Sequence, residues 1–155
     1  MDGKLRALQE SAEKNRELYN VESPDPTLLE HFETPATTVG SEMWITVEAP
    51  EFTCVCPKTG QPDFGSIIVH YRPEKRCLES KSFKLYLMGY RNYGAFHEKV
   101  TAQIAADLVW ALRPIELKVE GVFKPRGGIA FLPKIHYDSS RVPPVVEPKV
   151  LFEKT

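Results

Sequence analysis

A chain of 155 residues, 42% apolar and 26% charged with a formal charge of -1, can fill one core but not separate cofactor and substrate domains. The near-neutral balance lacks the basic excess of a free nucleic-acid platform, so no direct nucleic-acid partner is expected. No uncharged run approaches the length of a membrane span, and the first twenty residues hold no secretory apolar core, so a cytoplasmic protein without a membrane partner is expected.

In chain order, residues 1–20 predict either a charged helix on a thin stripe of Leu5, Leu8, Ala12 and Leu18 or a frayed, disordered arm. From Val21 to Gly40, Pro24, Pro26 and Pro35 predict an irregular wrap pinned by Leu28, Leu29 and Phe32, so residues 1–41 read as arm and wrap. A strand is predicted over residues 42–49, where Met43, Ile45 and Val47 alternate with Trp44, Thr46 and Glu48. A loop, "CVCPKTGQPDF" at 54–64, leads to a second strand over 64–71. "SKSFKLYLMGYR" predicts a helix with Ser80 as N-cap and Phe83, Leu87 and Tyr90 on one face. A second helix over about 95–113 carries Val100, Ile104, Leu108 and Leu112 and stops at Pro114.

The period then returns to two along Ile115, Leu117, Val119, Gly121 and Phe123, and "KPRGG" turns the chain into a last strand over 129–137. The result is an α+β domain over residues 42–137: a four-stranded antiparallel sheet with two helices between strands 2 and 3. Residues 138–155 form a proline-rich extended tail. Two helices cover one sheet face and leave both edges with unpaired backbone groups, which ring-shaped oligomers satisfy, with sites falling where subunits meet.

The chemistry concentrates in the first loop. Three cysteines cannot all pair, so reduced thiols are expected. A nucleophilic cysteine needs nearby cations or donors to ionise at neutral pH; Lys58 stands two residues from Cys56, and a loop folding back between Pro57 and Pro62 brings Asp63 near the sulfur as acid or base. The same residues also read as two small core thiols and a turn-capping aspartate. The C-x-C spacing lacks the intervals of structural zinc pairs and no second pair follows, so no metal site is expected. In "FHEK", residues 96–99, the charges are either solvated at a helix start, or Glu98 takes two parallel N–H bonds from a planar heterocycle while His97 donates or relays a proton. No G-x-G-x-x-G follows a strand, which excludes a Rossmann domain and leaves Lys81, Lys84 and Arg126 as cations for phosphates, or as ordinary surface charges.

Four motifs, "FTCVCPKTGQPDFG", "LESKSFKLY", "YRNYGAFHE" and "FKPRGGI", together resemble in order and spacing the NADPH-dependent 7-cyano-7-deazaguanine reductases, the single-module QueF nitrile reductases of queuosine biosynthesis. The resemblance spans residues 42–137, and "ESKSFKLY", residues 79–86, matches the family's signature throughout. It implies that Cys56, and not Cys54, attacks the nitrile carbon to give a thioimide, with Asp63 as proton donor. It also implies that His97 and Glu98 hold the 7-deazapurine, that Leu78, Glu79 and Ser80 line it, and that Ser80, Lys81, Arg126 and Gly127 serve NADPH. By resemblance the fold is the tunnelling fold, assembled as a decamer of two stacked pentamers. Two other functions share this outline: an amidinotransferase-like relative acting on a nitrile already in tRNA, against which the intact "ESKSFKLY" speaks, and a non-catalytic purine-binding oligomer.

Overall fold

The computed structural model describes residue 10 and residues 21–141. The arm helix expected within residues 1–20, residue 10 apart, and the tail over 142–155 lie outside the described residues. A 3-10 turn at Pro26–Leu28 is followed by β1 (His31–Glu33), β2 (Ile45–Val55), β3 (Pro62–Arg72), β4 (Arg76–Leu78), α1 (Ser80–Met88), α2 (His97–Leu112), β5 (Glu116–Phe123) and β6 (Lys134–Asp138).

The main sheet is antiparallel throughout, in the order β2-β3-β5-β6, with both helices between its second and third strands as the periodicity predicts. Inward residues of β3 and β5, among them Ile67, Val69, Tyr71, Leu117, Val119 and Phe123, form one buried cluster with Val100, Ile104, Leu108 and Leu112 of α2. Deep burial of such side chains contributes about 1.5–3 kcal/mol each before chain entropy is subtracted. The opposite face is polar, and Trp44 stacks there on His70 at a centroid distance of 4.9 Å.

β2 begins at Ile45 and not at residue 42, and α1 stops at Met88, so Tyr90 lies in the turn after the helix and not on its face; four further boundaries depart from expectation for local reasons. β2 runs on to Val55 instead of ending at residue 49, because a bulge between Ala49 and Phe52 interrupts the alternation without ending the pairing. β3 starts at Pro62, so Asp63 is a strand residue paired with Cys54, and the loop shrinks to residues 56–61. The N-cap of α1 is Glu79, not Ser80: its carboxylate accepts the N–H of Lys81 at 3.0 Å and of Ser82 at 2.7 Å. β6 begins at Lys134 because Pro133 has no N–H to give a ladder. The wrap is also more regular than its prolines imply, since β1 pairs with β4 and Leu29 is buried.

Candidate active site

Four segments meet at one corner of the sheet. At the end of β2, Val55 donates its N–H to the Tyr93 carbonyl at 3.1 Å and accepts from the Ala95 N–H at 3.2 Å, which ties Cys56 to the start of α2. The Lys124 N–H bonds the Phe64 carbonyl at 2.8 Å and draws the segment after β5 over Asp63. That segment reverses at Gly127 and Gly128, both at positive φ (55° and 79°), while Arg126 and Ile129 exchange both backbone hydrogen bonds at 3.0 Å, the geometry of a type I′ turn. Between these pieces lies a cavity of about 300 Å³ lined by Cys56, Asp63, His97, Glu98, Lys124 and Arg126, with Phe96, Ile129 and Phe131 as its apolar walls.

The loop that presents Cys56 is tight. Its N–H bonds the Gln61 carbonyl and its carbonyl accepts from the Gly60 N–H, each at 2.9 Å, with Gly60 at φ 69° closing the turn. The half-buried sulfur is drawn down to a pKa of about 6, first by the Thr59 hydroxyl, then by the Arg126 guanidinium and by the N–H groups of Lys58 and Thr59. Thus the cation at the sulfur is Arg126, and Lys58 acts through its backbone instead of its ammonium. Cys54, fully buried on β2, is pushed the other way, up to about 11, by burial.

Asp63 is 5% exposed and fully engaged: Oδ2 lies 3.1 Å from His97 Nε2, and Oδ1 pairs with Arg126. His97, the first residue of α2, stacks flat on Phe123 at 3.8 Å, which fixes the imidazole plane. Burial lowers its pKa, opposed by Glu98, so the ring is favoured neutral in the resting site. Glu98 is exposed at the mouth of the cavity in the first turn of α2, where the helix dipole favours a carboxylate.

The structure therefore brings Cys56, Asp63, His97, Glu98 and Arg126 together, with Gly127 in the adjoining turn. Leu78, Glu79, Ser80, Lys81 and Lys84 stand elsewhere. Leu78 is buried, with its N–H donated to the Tyr71 hydroxyl at 2.9 Å, and the Glu79 carboxylate is occupied in capping α1. Ser80 and Lys84 line a second groove of about 630 Å³ between β2 and α1, and Lys81 is exposed at the start of the same helix. Thr59 and Phe123 were not singled out from the sequence. A hydroxyl three residues after the thiol in "CPKTG" is the available signal for the first, whereas Phe123 reads as any inward strand residue.

The family model described as QueF-like protein matches residues 62–141. A protein of Nitrosomonas eutropha named NADPH-dependent 7-cyano-7-deazaguanine reductase is 52% identical over 101 residues, covering 65% of this chain and 71% of that one. Proteins of the same name from Anaeromyxobacter sp. (strain K) and Streptococcus thermophilus are 55% and 48% identical over 95 and 112 residues, covering 61% and 72% of this chain and 78% and 68% of theirs. Among solved structures, apo archaeosine synthase QueF-Like superposes with a TM-score of 0.59 over 66% of this chain and 99% of that one; at 21% identity the match concerns the fold. The chain belongs to the QueF-like family, with the NADPH-dependent 7-cyano-7-deazaguanine reductases among its relatives.

Proposed function

We propose that this protein is an NADPH-dependent oxidoreductase that reduces the nitrile of 7-cyano-7-deazaguanine to the aminomethyl group, serving queuosine biosynthesis in the cytoplasm. The catalytic unit is residues 42–137. The observation that carries this reading is one activated sulfur, Cys56, sharing a small cavity with a buried carboxylate, Asp63, and with Glu98 at its mouth.

The Cys56 sulfur bonds to the nitrile carbon, one π pair of the C≡N bond moves to nitrogen, and Asp63 hands nitrogen a proton. The net change is addition of S–H across the triple bond, leaving a thioimide. Asp63 can serve both halves, taking up the proton released as the thiol ionises and returning it to nitrogen. His97, held against Phe123, keeps the carboxyl oriented. Glu98 accepts the amino-pyrimidine edge of the heterocycle through two parallel N–H bonds.

NADPH, when bound, supplies the two hydrides that take the thioimide carbon to a primary amine. The cations Lys81 and Lys84 and the Ser80 hydroxyl suit its diphosphate and its 2′-phosphate, and the groove along α1, of about 630 Å³, would hold part of an extended dinucleotide. The first N–H groups of α1 are already taken by Glu79, so anion binding falls to the side chains. Cys56 departs as thiolate between the two reductions, which its low pKa favours.

The separation of Ser80 and Lys84 from the Cys56 cavity within one chain supports a site completed by a neighbouring subunit. Among the described residues β2 and β6 are the edges of the main sheet, with only the Val55 end of β2 bridged to the segment before α2, and Phe64, Phe96, Ile129 and Phe131 are exposed. A decamer of two stacked pentamers satisfies these requirements. The test is to mix the protein with 7-cyano-7-deazaguanine and NADPH and follow the reduced nicotinamide absorbance and the amine product. Two NADPH oxidised per amine is the expected result; no oxidation, or oxidation without amine, rules the function out.

A further inference from the structure

Arg126 stands among the residues expected to bind NADPH, yet its guanidinium is already committed inside the Cys56 cavity. It pairs with Asp63 Oδ1 and hydrogen-bonds toward the Cys56 sulfur, and its backbone is anchored by both bonds to Ile129 across the Gly127–Gly128 turn. A planar guanidinium has five donors in a fixed fork and can bridge two anionic groups at once, which an ammonium on a flexible stem does poorly.

We propose that Arg126 is a positioning residue for the nucleophile: its guanidinium holds the Cys56 sulfur and the Asp63 carboxyl group together in the cofactor-free site, so that the nucleophile is held and aimed before NADPH binds. This rests on the proposed reductase chemistry only for its catalytic meaning; the coupling of the three groups is a property of the resting protein. The other ionisable groups facing Cys56 are Asp63 on β3, His97 and Glu98 on α2, Lys124 beyond β5, and buried Cys54 on β2. Glu98 opposes a thiolate, as does Asp63 when ionised, Cys54 is favoured in its thiol form and His97 is favoured neutral, so of the two cavity cations Arg126, paired with Asp63 and drawing the Cys56 thiol down, is the one coupled to the sulfur. The bridge also explains how the Cys56 sulfur and the Asp63 carboxyl group can share one proton in one small cavity, since the positive charge beside both stabilises whichever of them is ionised.

The experiment is labelling of Cys56 by iodoacetamide against pH, without substrate or cofactor, read by peptide mass spectrometry. Wild-type labelling is expected to titrate near the activated value, and in Arg126→Gln the midpoint rises by about one to two pH units toward an ordinary thiol, with Arg126→Lys in between. A Gln variant whose profile superimposes on wild type overturns the proposal. Should Arg126→Gln fail to fold, the Lys variant decides by a smaller rise in the same direction, and a Lys profile that superimposes on wild type overturns the proposal. A second readout is the protein adduct formed with 7-cyano-7-deazaguanine in the absence of NADPH. Its rate in Arg126→Gln falls at least about tenfold below neutrality and recovers at alkaline pH, as expected when the thiolate fraction limits attack. An unchanged adduct rate with only a raised KM for NADPH makes Arg126 a cofactor residue alone and overturns the proposal. If wild type forms no adduct, the reductase reading fails, while the labelling profile still decides the role of Arg126.

Discussion

Two cysteines separated by one residue behave as opposites because of where their side chains point. Cys54 faces the core and burial favours its thiol, whereas Cys56 leaves the strand into a turn that surrounds it with donors. Cys56→Ala is expected to abolish both turnover and the nitrile adduct, while Cys54→Ala keeps the adduct and loses about 1 kcal/mol of stability to the vacated volume; intact-mass analysis and urea melts distinguish them. Asp63→Asn should keep the fold and lower kcat by about 10²–10⁴, the usual scale for a lost proton-transfer group, with alkylation of Cys56 retained; stopped-flow assay beside labelling checks this. At this scale the sequence was informative. Cys56, Asp63, His97 and Glu98 were recognisable through their motifs, and the structure gathers them. The partner of the sulfur was not legible, because Arg126 lies 70 positions downstream and reaches it only through a sheet pairing and a glycine turn.

The two helices are joined by a buried polar chain as well as by apolar contact. The Tyr86 hydroxyl donates to Asp107 Oδ2 at 2.6 Å, Tyr90 lies 2.9 Å from Tyr86, and Gln103 donates to Asp107 Oδ1 at 2.7 Å. Burial raises the Asp107 carboxyl, so the folded protein holds that proton more firmly than the unfolded chain, and the stability contributed by this group falls as pH rises through its titration. Tyr86→Phe removes a donor from the carboxylate and is expected to cost about 1–3 kcal/mol near neutrality and less at acid pH, where Asp107 is protonated; urea midpoints at the two pH values test the sign. Helices α1 and α2 were legible because their 3.6-residue spacing is uninterrupted. β1 and β4 were not, since three-residue strands carry too few alternations to register as a pattern, and β2 was cut short because its bulge falsifies the period on which strand prediction depends.

For the whole molecule, the expected site residues divide between the corner at Cys56 and the groove along α1, and the proposed oligomer would reunite them across a subunit interface. If so, subunits of Cys56→Ala, inactive alone, and Lys84→Ala, weakly active alone, should regain activity when unfolded together and refolded as mixed particles, because some interfaces then carry two intact halves. Recovery to about a quarter of wild type at equal mixing is the upper bound for random pairing. No recovery, with mixed particles confirmed by native mass, would place both halves in one chain. The sheet order and helix placement that set this geometry were readable from periodicity; the division of the site was not, since linear motifs carry no information about which face of a sheet or which copy they join.

The bulge in β2 has a further implication. Ile45, Val47 and Ala49 share the inward side, and after one additional residue Phe52 and Cys54 resume it, so the strand changes parity partway along. Losing a single amino acid at the bulge, such as Pro50, would iron it out and keep Phe52 opposite Gly65 and Cys54 opposite Asp63, whereas the same loss at Thr53 would turn Cys54 outward and swing the thiol-bearing turn away from Asp63. Length variation in this strand is therefore tolerable singly at the bulge and only in pairs elsewhere, a constraint on how related genes can gain or lose codons there that composition alone would never disclose.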